Sequence, residues 1–237
     1  MDISIVIPAF EEAEKIGRDI EEAAAFIAKN HLTAEIIVVD DGSADNTTEA
    51  AKSVQISPPI SLKVHRLSGH RGKGYAVRTG IKQTSAEYVM FADSGCCVPY
   101  QNVIRGLELL KSDACDIAHG SRKIADSKIK RPQNFYRRIC SGVFHWFMIA
   151  CMKIPAELTD TQCGFKIYRG DVARNLYGQC ITDGFMFDAE IIIRARKQGY
   201  RIKEFGVAWT CDTDSRLRLA RNLWHILREA YLVKRIL

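Results

Sequence analysis

Four compact apolar runs, DISIVIPAF, AEIIVVDDGSAD, SLKVHRLS and AEYVMFAD, punctuate the first hundred residues. Between them lie EEAEKIGRDIEEAAAFIAKN, with apolar residues at helical spacing, then SADNTTEAAKSV and GKGYAVRTGIKQT. Ser43 and Asp45 are candidate caps for the second of these helices. Apolar strands alternating with helices predict a parallel sheet covered on both faces. Ligands of such sheets bind beyond the carboxyl ends of the strands, which places Pro8 to Glu12, Asp40 to Gly42 and Asp93 on one rim. Past Val98 the pattern loosens. NVIRGLELLKS reads as a helix, CDIAHGSR as a strand, and DTQCGFKIYRGDVARNLY as a turn, a short strand and a helix. FDAEIIIRARKQGY reads as a helix and RIKEFGVAWTC as a strand. In the last segment Leu217, Leu219, Leu223, Trp224, Leu227 and Tyr231 stand among arginines, so residues 212–237 read as a basic amphipathic helix. No repeat or linker interrupts the pattern, which predicts one compact domain over residues 1–211.

Composition narrows the classes. The 237 residues are 47% hydrophobic and 26% charged, the balance of a folded globular chain. The opening MDISIVIPAFEE lacks the regions of a signal peptide. The longest apolar stretch, Ile139 to Pro155, falls short of the roughly 18 residues of a spanning helix. A soluble or peripherally attached protein is expected. Eight cysteines without a C-x-x-C spacing point to reduced thiols, a cytoplasmic compartment and no zinc site. The net charge of +6 concentrates in residues 120–138 and 215–237. Those segments are either solvated faces or surfaces for an anionic partner. No nucleic-acid recognition module is present in the sequence, so no nucleic-acid partner is expected.

The rim carries the candidate chemistry. Asp40 and Asp41 either cap the following helix or accept bonds from a ribose or base, and Glu11 and Glu12 reach the same place. In HRGKGYAVRTG, Gly72 and Gly74 flank Lys73 where a helix starts, a setting suited to a phosphate-bearing ligand. The string lacks the P-loop spacing. Asp93 ends its strand alone, followed by Ser-Gly-Cys-Cys.

SIVIPAFEEAEKI, IIVVDDGSADNT, HRGKGYAVRTGI and YVMFADSG together resemble, in order and spacing, the nucleotide-sugar half of glycosyltransferase family 2, with its GT-A fold. GSRK, DTQCGFKIYRGDVARNLY and FMFDAEIIIRARKQGYRIKE resemble its dolichyl-phosphate glucosyltransferase and polyprenyl-phosphate glycosyltransferase branch. The resemblance implies a donor half over residues 1–99 and an acceptor half over 100–211. It implies nucleotide contacts at Pro8, Glu12 and Asp41 and a diphosphate contact at Lys73. Asp93 matches the first carboxylate of the family's Asp-x-Asp metal motif, with Gly95 where the second belongs. A weakly held Mg²⁺ or Mn²⁺ is therefore expected, completed by water and the donor diphosphate. Arg122 and Arg137 match acceptor-phosphate positions, with Arg131 and Arg138 as helpers, and Asp160 matches a position facing sugar and acceptor.

The implied activity is inverting transfer of a hexose, glucose from UDP-glucose foremost, to a polyprenyl or dolichyl phosphate. The alternatives are a soluble acceptor and a silent nucleotide-sugar-binding protein. Residues 139–155 and the C-terminal helix fit an anionic membrane surface, the core or a homodimer interface. A lipid acceptor implies attachment to the cytoplasmic face of a membrane. His145 reads as a packed aromatic.

Overall fold

A computed structural model describes the backbone of residues 1–131, 135–211 and 219–235, and the side chains of 1–131, 141–211 and 224–235. The first half runs β1 (Ile3–Ala9), α1 (Ile16–Lys29), β2 (Ala34–Asp40), α2 (Thr47–Ser53), β3 (Ile60–Arg66), α3 (Lys73–Ile81) and β4 (Tyr88–Ala92). The second runs α4 (Val103–Lys111), β5 (Ile117–Ser121), β6 (Lys128–Arg131), α5 (Phe135–Met152), β7 (Phe165–Arg169), α6 (Gly170–Gln179), α7 (Phe187–Lys197), β8 (Ile202–Gly206), β9 (Ala208–Thr210) and α8 (Leu219–Lys234).

Seven strands form one sheet in the order β3-β2-β1-β4-β7-β5-β8. All neighbours are parallel except β7, which runs antiparallel to β4 and to β5. The α/β expectation with a mostly parallel sheet holds. Every residue of β1, β2 and β4 is buried, as a sheet covered on both faces requires, whereas the edge strand β3 alternates. Pro8 is tolerated inside β1 because pairing with β4 stops at Val6. The neighbouring Ala9 turns its carbonyl to the other side, toward Asp41 N at 2.8 Å, so the N–H that Pro8 lacks faces no ladder.

One face of the sheet packs Ile16, Ile20, Phe26 and Leu107 from α1 and α4. The other packs Val77, Leu176, Phe187 and Ile191 from α3, α6 and α7. A third cluster joins Met148 and Met152 of α5 to Ile192 of α7 and to Ile226, Ala230 and Val233 of α8. The C-terminal helix is fastened further by Glu229, which accepts hydrogen bonds from the backbone of Asp183 (3.1 Å), Gly184 (2.5 Å) and Met186 (3.2 Å). Two elements depart from the sequence reading. Residues 128–131, for which the sequence offers only a basic segment and no strand, form β6 and pair with β9. Ser43 is not a helix cap: its hydroxyl lies 2.5 Å from Asp40 Oδ1 and accepts from Glu11 N at 2.7 Å. Asp45 alone takes the Thr47 N–H, at 3.1 Å.

Candidate active site

β4 delivers Asp93 to the rim, where its N–H continues the antiparallel ladder to Gly164 O at 2.8 Å. Lys73 opens α3 and places Nζ 2.5 Å from Asp93 Oδ1. Burial alone would lower the Lys73 ammonium, but Asp93 and the nearby Asp188 more than offset it and hold its pKa above the ordinary value. Lys73 is therefore a fixed cation at neutral pH. Gly164 packs directly against this carboxylate: a Cβ there would lie 2.0 Å from Asp93 Cγ and would displace it.

The residues after Asp93 turn away from it. Gly95 (φ 91°) and Cys96 (φ 48°) adopt left-handed backbone conformations, which Gly95 accepts without strain. Their N–H groups each donate to Asp19 of α1 at 2.7 Å, and Cys96 Sγ lies 2.8 Å from Asp19 Oδ1. Burial raises the Asp19 carboxyl. A carboxylate from α1 thus organises the loop that follows Asp93. Among the described residues no group of three His, Cys, Asp or Glu side chains is placed to hold a metal ion. One carboxylate suits a Mg²⁺-like cation that draws its other ligands from a diphosphate and water. It does not make a closed protein cage.

The rim at the ends of β1 and β2 is tied together by its own carboxylates. Asp40 is wholly buried and serves the turn, accepting from Ser43 N at 2.9 Å and from Thr48 Oγ1. Asp41 accepts the backbone N–H groups of Arg71 and Gly72, both at 2.8 Å, and lies 2.9 Å from His70 Nδ1. It therefore anchors the loop that delivers Lys73, while Glu12 lies nearby with its backbone N–H on Thr47 Oγ1 at 2.8 Å. The far side of that loop is held by Asp183, whose carbonyl takes Tyr75 N at 3.0 Å and whose carboxylate pairs with Arg78 at 2.5 Å.

At the end of β5 the structure joins two residues that the sequence presents as separate. Arg122 and Asp160 form a two-pronged pair, Nε to Oδ2 at 2.6 Å and the terminal nitrogen to Oδ1 at 2.7 Å, over the Trp209 ring. Burial pushes the Asp160 carboxyl up, but the Arg122 guanidinium overcomes it and holds the pKa below the ordinary value. Glu204 of β8 accepts the N–H groups of Thr159 (3.0 Å) and Asp160 (2.8 Å). Arg131 ends β6 on the surface. Arg137 and Arg138 fall outside the residues whose side chains are described.

Asp19, Lys166, Asp188 and Glu204 went unnoticed in the sequence. Lys166 is fully buried, pairs with Asp188 of α7 and donates to Thr161 O at 3.0 Å, so it props the 160–164 turn from beneath. One signal was available. Asp19 sits three residues after Ile16 and four before Ala23, on the apolar stripe of α1, where a charge demands a partner.

Comparison with known proteins accords with this arrangement. The glycosyl transferase family 2 model matches residues 4–176. The chain is 30% identical over 226 residues to a dolichyl-phosphate beta-glucosyltransferase of Dictyostelium discoideum, covering 91% of this chain and 68% of that protein. It is 30% identical over 229 residues to the human dolichyl-phosphate beta-glucosyltransferase, covering 91% and 69%. Among solved structures, glucosyl-3-phosphoglycerate synthase of Mycobacterium tuberculosis, in complex with Mn²⁺, UDP and its product, superposes with a TM-score of 0.72 at 16% identity, covering 98% of this chain and 78% of that one. The same enzyme with Mn²⁺ and UDP-glucose gives 0.71 at 17% identity, covering 97% and 78%. With its GT-A sheet, rim and family match in agreement, this chain belongs to glycosyltransferase family 2.

Proposed function

We propose that the chain transfers glucose from UDP-glucose to a dolichyl or related polyprenyl phosphate, with inversion at the anomeric carbon, at a membrane surface. The 160–164 turn carries this reading. Asp160, paired with Arg122, stands at one end, and Gly164, packed on Asp93, stands at the other. Four backbone steps keep the two ends within about 14 Å of each other, so the acceptor-side pair and Asp93 border one site. The relatives' names supply the sugar and the acceptor.

The acceptor phosphate monoester is close to a dianion at neutral pH and is itself the nucleophile. One of its oxygens bonds to C1 of glucose as the bond from C1 to the diphosphate oxygen breaks, and UDP leaves with the electron pair. The protein's part is positioning and charge. Lys73, held protonated, neutralises the departing diphosphate. Asp41 fixes the loop that carries it, and Glu12 and Pro8 border the nucleotide. A divalent cation entering with the donor, held by Asp93 and only weakly because Gly95 stands where a second carboxylate would be, would add Lewis-acid charge to the leaving group. Fold neighbours with Mn²⁺ or Mg²⁺ and UDP support that cation. Asp160 is committed to Arg122 and acts through it, while Arg137 is the second proposed acceptor-side cation.

Attachment to the cytoplasmic leaflet rests on α5 and α8. Their inner faces pack together, and their outer faces leave Val143, Trp146, Trp224, Leu227 and Tyr231 exposed. Basic residues Arg228 and Lys234 lie on α8, and Arg235 comes directly after it. An exposed apolar stripe edged by cations suits an anionic bilayer. Among the described residues no helix is long and apolar enough to cross a membrane.

The purified full chain, UDP-glucose, dolichyl phosphate and Mg²⁺ should yield a β-linked glucosyl lipid phosphate. No transfer from UDP-glucose or GDP-mannose to dolichyl or undecaprenyl phosphate would overturn the reading.

A further inference from the structure

We infer that Glu229 of α8 is a positioning residue for the donor: through the backbone of residues 183–186 it fixes the turn that carries Lys73, and so sets how tightly a nucleoside diphosphate is held. This rests on the UDP-sugar reading and adds to it a residue distant in sequence from every donor motif. Glu229 shares one side of α8 with Ile226 and Val233, at spacings of three and four, while Trp224, Leu227 and Tyr231 face outward. Its carboxylate reaches a segment, 180–186, that lies between α6 and α7 and belongs to neither.

That segment hangs between two carboxylates and the start of α3. Glu190 of α7 accepts the N–H groups of Ile181 (2.9 Å) and Thr182 (2.8 Å). Glu229 accepts the next ones: Oε1 is shared by Asp183 (3.1 Å) and Gly184 (2.5 Å), and Oε2 takes Met186 (3.2 Å). Gly184 lets the carboxylate lie against the chain, since a Cβ there would stand 2.7 Å from Glu229 Oε2. The opposite edge of the segment faces the donor turn. Asp183 O accepts Tyr75 N at 3.0 Å in the first turn of α3, and Arg78 donates to Thr182 O at 3.3 Å. Gly72 and Gly74, on either side of Lys73, press on the same backbone. A Cβ on Gly72 would lie 2.6 Å from Asp183 O, and one on Gly74 would lie 2.9 Å from Gly184 O.

This packing leaves no slack. Both glycines beside Lys73 rest on peptide units whose N–H groups are given to Glu229. With the carboxylate removed, three N–H groups lose their acceptor, and the backbone between them must turn to find water. Glu190 still fixes residues 181 and 182, and α7 still begins at Phe187, so the movement is confined to the stretch between. It meets the Gly72–Gly74 turn directly, and with it the Lys73 ammonium 2.5 Å from Asp93. The Arg122–Asp160 pair is oriented by Glu204 of β8 and does not share this support. Glu229 therefore acts on the donor and leaves the acceptor alone.

The test is UDP affinity in the presence of Mg²⁺, by calorimetry on the full chain, beside a urea titration. Glu229→Ala should raise the UDP Kd about tenfold or more, the order lost when one charge-assisted contact to phosphate goes out of alignment. Glu229→Gln keeps a carbonyl oxygen for the Asp183 and Gly184 N–H groups and should stay within about threefold of wild type. Val233→Ala thins the packing of the same helix without touching residues 183–186, so it should lower the urea midpoint and leave the Kd within about twofold. Hydrogen exchange adds a reading that needs no ligand: in Glu229→Ala the Tyr75 amide should exchange faster, while that of Ile81 at the far end of α3 keeps its protection. An unchanged UDP Kd in Glu229→Ala, an equal rise in Val233→Ala, or no recovery with glutamine overturns the assignment. A wild type that binds UDP but glucosylates no lipid phosphate removes the proposed acceptor and leaves Glu229 its role. A wild type that binds no UDP overturns the donor reading and this role with it.

Discussion

Replacing Gly164 by alanine separates site geometry from fold stability. The new Cβ would stand 2.0 Å from Asp93 Cγ and 2.0 and 2.2 Å from its two oxygens. Carbon atoms settle near 3.5 Å, so the carboxylate must retreat by about 1.5 Å. It is free to do so, because 38% of the side chain is exposed and it can rotate toward solvent. The retreat breaks the 2.5 Å contact with Lys73 and moves the carboxylate proposed to face the donor diphosphate. A displacement of about 1 Å in a reacting constellation costs roughly a hundredfold, or about 2.7 kcal/mol of transition-state stabilisation. Stability moves little. Loss of a partly exposed ion pair is offset by the smaller unfolded-state entropy of alanine, leaving unfolding within about 1 kcal/mol of wild type. The assay is glucosyl transfer beside a urea titration. A Gly164→Ala protein with normal cooperativity and kcat/KM within about threefold of wild type would refute the reasoning. In an Asp93→Gly background the same change should cost almost nothing more, because the colliding group is gone.

Asp160→Asn should destabilise the fold by about 3–5 kcal/mol, since Arg122 loses its anion in a largely buried setting. Because the folded pKa of Asp160 lies below its ordinary 3.8, its contribution is fully present above that value and is lost as pH falls through the folded pKa. The urea-midpoint gap between wild type and variant should therefore narrow below about pH 4; a gap independent of pH contradicts the pairing. Trp146→Ser with Trp224→Ser should reduce flotation with anionic liposomes several-fold while leaving the circular dichroism spectrum unchanged, whereas a lost dimer with normal flotation would point to self-association. Mn²⁺, followed by its EPR signal, should bind detectably only when UDP is present; tight binding to the free protein contradicts a one-carboxylate site. Burial pushes the Cys163 thiol up to about 12, so iodoacetamide at pH 8 should leave it unmodified in the native protein, as mass spectrometry of the digested chain would report.

The alternation of strand and helix, and the rim it creates, were legible because both are local. Apolar runs such as IIVVD and YVMFA mark buried strands, Asp41 and Asp93 directly follow β2 and β4, and Lys73 is the first residue of α3. What was illegible depends on pairing at long range. No local pattern says that β7 enters the sheet antiparallel between β4 and β5, because its partners are set by tertiary register. β6, spelled KIKR, looks like a solvated basic run, and only its partner β9 makes it a strand. Arg122 and Asp160 lie 38 residues apart and read as two independent functional groups, yet each one's chemistry is decided by the other. The lone Asp93 looked like a damaged motif. The structure shows a loop organised from behind by Asp19, whose place on the apolar stripe of α1 is the one local sign that it needs a partner.

The reach of α8 and the strands before it sets a limit on domain excision. The family match ends at residue 176. Yet Asp183 braces the Lys73 loop, Asp188 neutralises Lys166, Glu204 orients Asp160, and Glu229 caps the 183–186 backbone. A fragment cut at the match boundary would keep most of the recognisable signature and lose every one of these braces. For expression, chimera building or deep mutational scanning, the indivisible unit extends through α8.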